Sequence, residues 1–257
     1  MKRVVLFING ELGLEILRFL IPRKDTEISA VVINGQNKVN KEYENEVQRI
    51  LSGTERAIDF FQHSANLWDD SNFGKHLSGN LYGISVLFGH IFPDSIIKSF
   101  DGSLINLHPS LLPIGRGADP IFWSIVEKLP QGVSIHRVEK ALDAGEIFIQ
   151  EEIKTETWLN SGQIYDVAMK KLMQLFVEFY PKWDSSTPST PQFGEGTYHE
   201  ARELTELKAK ILNSSGTLFE QLNLIQALTY NDDRRARIVL PNGEVWEVSL
   251  HLRQIEG

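Results

Sequence analysis

Val4-Val5-Leu6-Phe7-Ile8, followed by Asn9-Gly10-Glu11-Leu12-Gly13 and a helical stretch running to Leu20, decides how this chain folds. Five consecutive apolar residues read as a strand covered on both faces, since a half-exposed strand would alternate with polar residues. The same unit then recurs. Ile28–Ile33 is a second β-branched run, closed by Asn34-Gly35, and Glu44–Leu51 has helical character. Ala57–Phe61 reads as a third strand and Trp68–Leu77 as another helix. Gly83–Phe88 and Leu104–Leu107 are two further strands, separated by a helical turn that Pro93 initiates. Continuous apolar strands alternating with helices imply βαβ units, and hence an α/β fold with a mainly parallel sheet.

Beyond Leu107 the pattern changes. A Pro- and Gly-rich loop leads to a helix near Pro120–Glu127, and Gly132–Val138 and Glu146–Ile153 alternate with period two. Ser161–Phe179 repeats apolar residues at helical spacing: Ile164, Val167, Ala168, Leu172, Leu175, Phe176 and Phe179. Trp183–Pro191 is rich in Ser, Thr and Pro and reads as a linker or surface crossing. Two helices, Arg202–Leu212 and Ser215–Leu228, and a hairpin, Ala236–Leu240 with Val245–Leu250 around Pro241-Asn242-Gly243, form a short appendage. The expected organisation is a main domain over residues 1–183 and a C-terminal helical and hairpin region over 184–257. The latter is expected to pack on the main domain or to make a subunit contact, and a homodimer is the expected state.

Composition narrows the function. The 257 residues include no cysteine, which removes disulfides, thiolate nucleophiles and cysteine-held metals. Seven histidines include no helical His-x-x-x-His pair, so no metal is expected. The apolar run at Val4 is too short for a secretory signal, and no stretch approaches the roughly 18 apolar residues of a membrane span. A cytoplasmic protein is expected, with no membrane partner. The net charge of −8 argues against a nucleic-acid partner, which calls for a basic face, and for small-molecule chemistry. Asn9–Gly13 lacks the Gly-x-Gly-x-x-Gly fingerprint of a dinucleotide site.

Ile105-Asn106-Leu107-His108-Pro109-Ser110-Leu111-Leu112-Pro113 carries the chemistry. It lies at the carboxyl end of an expected strand, where open α/β sheets bind ligands. Alternation puts Asn106 and His108 on one side of the chain. An amide can stabilise an oxyanion and an imidazole can manage a proton, as acyl transfer to an amine requires. The same two residues also suit a turn whose backbone they satisfy. Asp143, in the tight loop Leu142-Asp143-Ala144-Gly145, can orient His108, or can be a plain Asp-x-Gly turn residue. His136, on an alternating strand, ranks as support.

Together these segments resemble the folate-dependent formyltransferase family. Its mark is Asn-x-His-Pro-x-x-x-Pro followed by a strand-loop with Asp-x-Gly, here Ile105–Pro113 and Gly132–Ile147, and the resemblance covers about Met1–Tyr180. It implies a Rossmann-like formyltransferase fold, catalysis by Asn106, His108 and Asp143, and 10-formyltetrahydrofolate as donor. The donor's pterin would lie along Phe88, Gly89, His90 and Ile91, with Phe92 beside them, against Val138 and Leu142. Within the family, nucleotide-linked amino-sugar N-formyltransferases fit best. They resemble this chain in Gly115-Arg116-Gly117 with Trp123, in Gly196-Thr197-Tyr198-His199, in Leu228-Thr229-Tyr230 and in the hairpin. Their substrates are dTDP-linked amino-dideoxy sugars of O-antigen synthesis, aminated at C3 or C4. Ser110, Arg116, Tyr198 and Tyr230 are the implied acceptor contacts. Glycinamide ribonucleotide, methionyl-tRNA and hydroxyornithine formyltransferases are the enzyme alternatives, and a non-catalytic nucleotide-sugar binding protein is the alternative of another class.

Overall fold

The computed structural model describes residues 1–35, 41–79, 81–154, 158–209, 217–230 and 236–249. In chain order the elements begin with β1 (Lys2–Ile8), α1 (Gly10–Leu20), β2 (Thr26–Ile33), α2 (Lys41–Ser52), β3 (Asp59–Gln62), α3 (Ser71–Gly74), β4 (Leu81–Val86), α4 (Asp94–Ser99) and β5 (Leu104–His108). They continue with β6 (Arg116–Gly117), α5 (Pro120–Val126), β7 (Gly132–Arg137), β8 (Ile147–Glu152), α6 (Ser161–Phe179), β9 (Tyr198–His199), α7 (Ala201–Ala209), α8 (Leu218–Leu228), β10 (Ala236–Val239) and β11 (Val245–Val248).

Seven strands form one sheet in the order β3-β2-β1-β4-β5-β7-β8. The pairings β2–β3, β1–β2, β1–β4 and β4–β5 are all parallel. The chain first lays strands outward on one side of β1 and then jumps to β4 on the other. That reversal opens a crevice at the carboxyl ends of β1 and β4, the usual ligand position in such sheets. The apolar run that decided the fold behaves as expected, since Val4 through Ile8 are wholly buried.

Contacts divide the chain into two compact units. The first comprises Met1–His108, Ile135–Ile149 and Leu172–Gln192. Phe7 is the hub of its core, with rings of Trp68, Phe73, Phe88, Phe92 and Phe100 centred 4.8–6.3 Å away. The end of α6 closes the other side, where Phe176 meets Phe19 and Phe179 meets Phe148. The second unit comprises Pro109–Ser134, Gln150–Lys171 and Phe193–Gly257. It holds α5, α7, α8 and the β10–β11 ribbon, which pairs antiparallel. No helix among the described residues is long and apolar enough to cross a membrane.

Three expectations need correction. The stretch Trp68–Leu77 is not one helix but a 3-10 turn at Leu67–Asp69 and the short α3. Asp70 breaks it, because its carboxylate accepts from the Asn72 N–H at 2.7 Å and starts a new helix there. The strand expected to reach Phe88 stops at Val86, since Leu87 takes a left-handed φ of 52° that ends the ladder. Val167, expected on the buried stripe of α6, is exposed. Leu212, Ser215 and Leu250, expected element ends, lie outside the described residues.

Candidate active site

Asn106 and His108 sit at the end of β5, in the first unit. His108 is nearly enclosed, with 6% of its side chain exposed. Asp143 reaches the same place from the loop between β7 and β8. Its φ of 51° is left-handed, which Asp tolerates better than most residues but which still costs about 1–2 kcal/mol. The Asp-x-Gly pattern has a steric cause. A Cβ at Gly145 would run into the Arg137 carbonyl across the hairpin, so only glycine lets the loop fold back this tightly.

The three side chains converge. The Asp143 carboxylate turns Oδ2 toward His108 Nδ1 at 3.9 Å and lies 3.5 Å from Asn106 Nδ2 through Oδ1. These are ion-pair and outer hydrogen-bond distances. A fourth group joins them. His136, with 2% of its side chain exposed, places Nε2 3.6 Å from Asp143 Oδ1 and 3.3 Å from Asn106 Nδ2. Its Nδ1 faces the Arg137 carbonyl oxygen at 2.8 Å, and a carbonyl only accepts, so Nδ1 carries the proton. Nε2 is left facing both the Asn106 amide and the Asp143 carboxylate. The imidazole ranked as support from sequence is thus part of the cluster. Its signal was the Ser-x-His alternation on β7, which puts Ser134 and His136 on one face of the strand beside β5.

His108, His136 and Asp143 also each offer one donor atom within 4.8 Å of the others, a spacing a cation can use. Asn106 Nδ2 lies 3.3 Å from the same His136 Nε2.

The expected donor residues line the neighbouring strand edge. Ile91 and Leu142 are 74% and 44% exposed, and Phe88 and Val138 are half-buried against the Phe7 core. Lys140, in the loop after β7, pairs at the surface with Asp94, the first residue of α4, at 2.9 Å. Gly89 donates its N–H to Asn34 Oδ1 at 3.1 Å. His90 is more committed than expected. Its ring stacks on His63 with centroids 3.6 Å apart, and its Nε2 accepts from the Gly35 N–H at 3.4 Å.

The sequence model of the formyl transferase family matches residues 23–179. The chain belongs to that family. Among curated relatives, the dTDP-4-amino-4,6-dideoxyglucose formyltransferase of Mycobacterium tuberculosis is 32% identical over 157 residues, which is 59% of this chain and 64% of that protein. The methionyl-tRNA formyltransferase of Mycoplasma genitalium is 30% identical over 228 residues, 86% of this chain and 62% of that one. The chain thus spans less than two thirds of the length of these relatives. Among solved structures, a sugar N-formyltransferase from Shewanella superposes with a TM-score of 0.78 at 20% identity, covering 100% of both chains, which is a likeness of fold. The formyltransferase PseJ from Anoxybacillus kamchatkensis is 25% identical with a TM-score of 0.56, over 83% of this chain and 93% of that one. It was solved with UDP-4,6-dideoxy-4-formamido-L-AltNAc and tetrahydrofolate.

The expected acceptor residues lie in the second unit. Arg116 and Tyr198 are brought together, because Arg116–Gly117 and Tyr198–His199 pair as two short parallel strands. The Arg116 N–H donates to the Thr197 carbonyl and the Ala118 N–H to the His199 carbonyl, both at 2.9 Å. Gly117, at φ 87°, allows it, since a Cβ would collide with the His199 carbonyl. Trp123 stacks flat on His199 at 3.8 Å, and His199 bridges Glu127 and Glu203 at 3.0 Å each. Ser110 is buried, and among the described residues its Oγ has no hydrogen-bond partner. Tyr230 meets Tyr165 edge-on at 5.3 Å and lines a cavity of about 500 Å³ with Asn160, Gln163 and Asp166.

Proposed function

We propose that the protein transfers the formyl group of 10-formyltetrahydrofolate to the amine of a nucleotide-linked amino-dideoxy sugar. The observation that carries this reading is the meeting of Asn106, His108 and Asp143 within 3.9 Å at the carboxyl end of β5. The donor supplies an activated formyl carbon bonded to N10. The acceptor nitrogen attacks that carbon, the new N–C bond forms, and the C–N10 bond breaks as N10 takes up a proton. Asn106 donates to the oxyanion, for its N–H groups are held only by contacts of 3.3 and 3.5 Å and can turn to a stronger acceptor. His108 takes the proton from the attacking amine, and Asp143 stabilises the charge that results.

The sugar acceptor is favoured by the dTDP-sugar enzyme of M. tuberculosis and by the UDP-sugar complex of PseJ. The two differ in nucleotide, so the sugar class is the firmer part. Residues 1–183 would carry the catalysis, and 184–257 the acceptor contacts and a homodimer contact. The product would be a lipopolysaccharide O-antigen precursor made in the cytoplasm. A second reading, formylation of methionyl-tRNA, is favoured by the 86% of this chain that the M. genitalium enzyme matches. The net charge of −8 counts against it.

The test offers the donor with dTDP-, UDP- and GDP-linked amino sugars, or with methionyl-tRNA, and follows tetrahydrofolate release and a mass gain of one formyl group. A sugar product supports the proposal. Formylated methionyl-tRNA alone selects the second reading, and binding without turnover selects a non-catalytic sugar-binding protein. Asn106→Ala and His108→Ala should each lower turnover by about 10²–10³. Near-native rates in both would reject the mechanism.

A further inference from the structure

We propose that Gln192 is a positioning residue for Asp143, held in place by the segment that reads from sequence as a linker. This rests on the formyl-transfer reading of the site only for its kinetic consequence. Ile147, the first residue of β8, exchanges both backbone hydrogen bonds with Thr190 at 2.8 Å in an antiparallel bridge. In an antiparallel register, moving two residues forward on one strand moves two back on the other. Gln192 therefore falls opposite Gly145, in the loop that carries Asp143. Its Nε2 donates to the Asp143 carbonyl and to the Gly145 carbonyl, both at 2.8 Å.

One amide group thus spans the two carbonyls that flank Ala144. The neighbouring residues lock the strap in register. Ser189 Oγ donates to the Glu146 carboxylate and accepts from Arg137 at 3.2 Å, and Arg137 lies 3.6 Å from Glu146. Arg137 also leads out of β7, one residue after His136. Asp143 needs such a clamp because its φ of 51° is one the residue leaves when unsupported. The carboxylate contacts His108 and His136 at 3.9 and 3.6 Å, so a small rotation of the loop separates them.

Gln192→Met keeps length and shape and removes both N–H donors. It should lower kcat by about 10–100-fold while the KM of donor and acceptor stay at wild-type values, since misplacing a group by about 1 Å costs that much. Its crystal structure should show Asp143 displaced from His108 and His136. Gln192→Asn, which keeps the amide but shortens its reach, should behave alike and serves if the Met variant does not fold. Wild-type kcat, or Asp143 unmoved in the variant, overturns the proposal. If the wild-type protein itself transfers no formyl group, the proposed function fails, and the position of Asp143 in the variant still decides the role of Gln192.

Discussion

Asp143→Asn removes one charge and almost no volume, so its effect isolates the electrostatic part of the mechanism. At 3.9 Å from His108 Nδ1, a full negative charge stabilises an imidazolium by ~4 kcal/mol at an effective dielectric of about 20. Some solvent reaches the carboxylate, whose side chain is 10% exposed, and about 3 kcal/mol is the figure to expect. That is about a hundredfold in turnover. Steady-state release of tetrahydrofolate would show kcat reduced by that factor with both KM values near wild type, because the charge acts on the proton-bearing imidazole and not on bound substrate. A variant within about threefold of wild type in kcat would refute the account, for it would mean that no positive charge develops beside Asp143.

Two predictions concern stability. Phe7→Ala empties the centre of a five-ring cluster and should cost about 3–5 kcal/mol in denaturant unfolding, whereas a loss under about 1 kcal/mol would show that the cluster is not the hub of the core. Tyr180 is pushed up to about 12 by burial, and its hydroxyl shares a 2.7 Å hydrogen bond with Thr26. A phenol whose pKa rises on folding stabilises the fold fully below its unfolded pKa of about 10, and that stabilisation is lost as pH climbs toward 12. Tyr180→Phe should therefore be less stable than wild type at neutral pH and show a smaller fall in stability between about pH 10 and 12; identical alkaline profiles would contradict this.

Much of the fold is legible because burial on both faces of a parallel strand writes itself into consecutive residues. Val4–Ile8 and Ile28–Ile33 are such runs, and Ser161–Phe179 is found at the bounds that its helical spacing gives. The site is legible for a different reason. Asn106 and His108 lie two apart on one strand end, so the sequence already juxtaposes them. What stays hidden depends on pairing across long separations. His136 reads as an ordinary strand residue until β7 is placed beside β5. The stretch just before Gln192 reads as linker until Thr190 bridges to Ile147, forty-odd residues back. The break at Asp70 was written locally, as an Asp two residues before the amide it caps, but the helical spacing around it masked the signal.

The pairing of Arg116–Gly117 with Tyr198–His199 limits how this protein can be recombined with its relatives. A breakpoint anywhere from residue 118 to 196 would unite a loop from one parent with a tail from another. The donated tail would have to offer its carbonyls in register to the Arg116 and Ala118 N–H groups, or leave them unsatisfied. Grafting this part of the chain therefore calls for two inserts transferred as a pair, not for a single cassette.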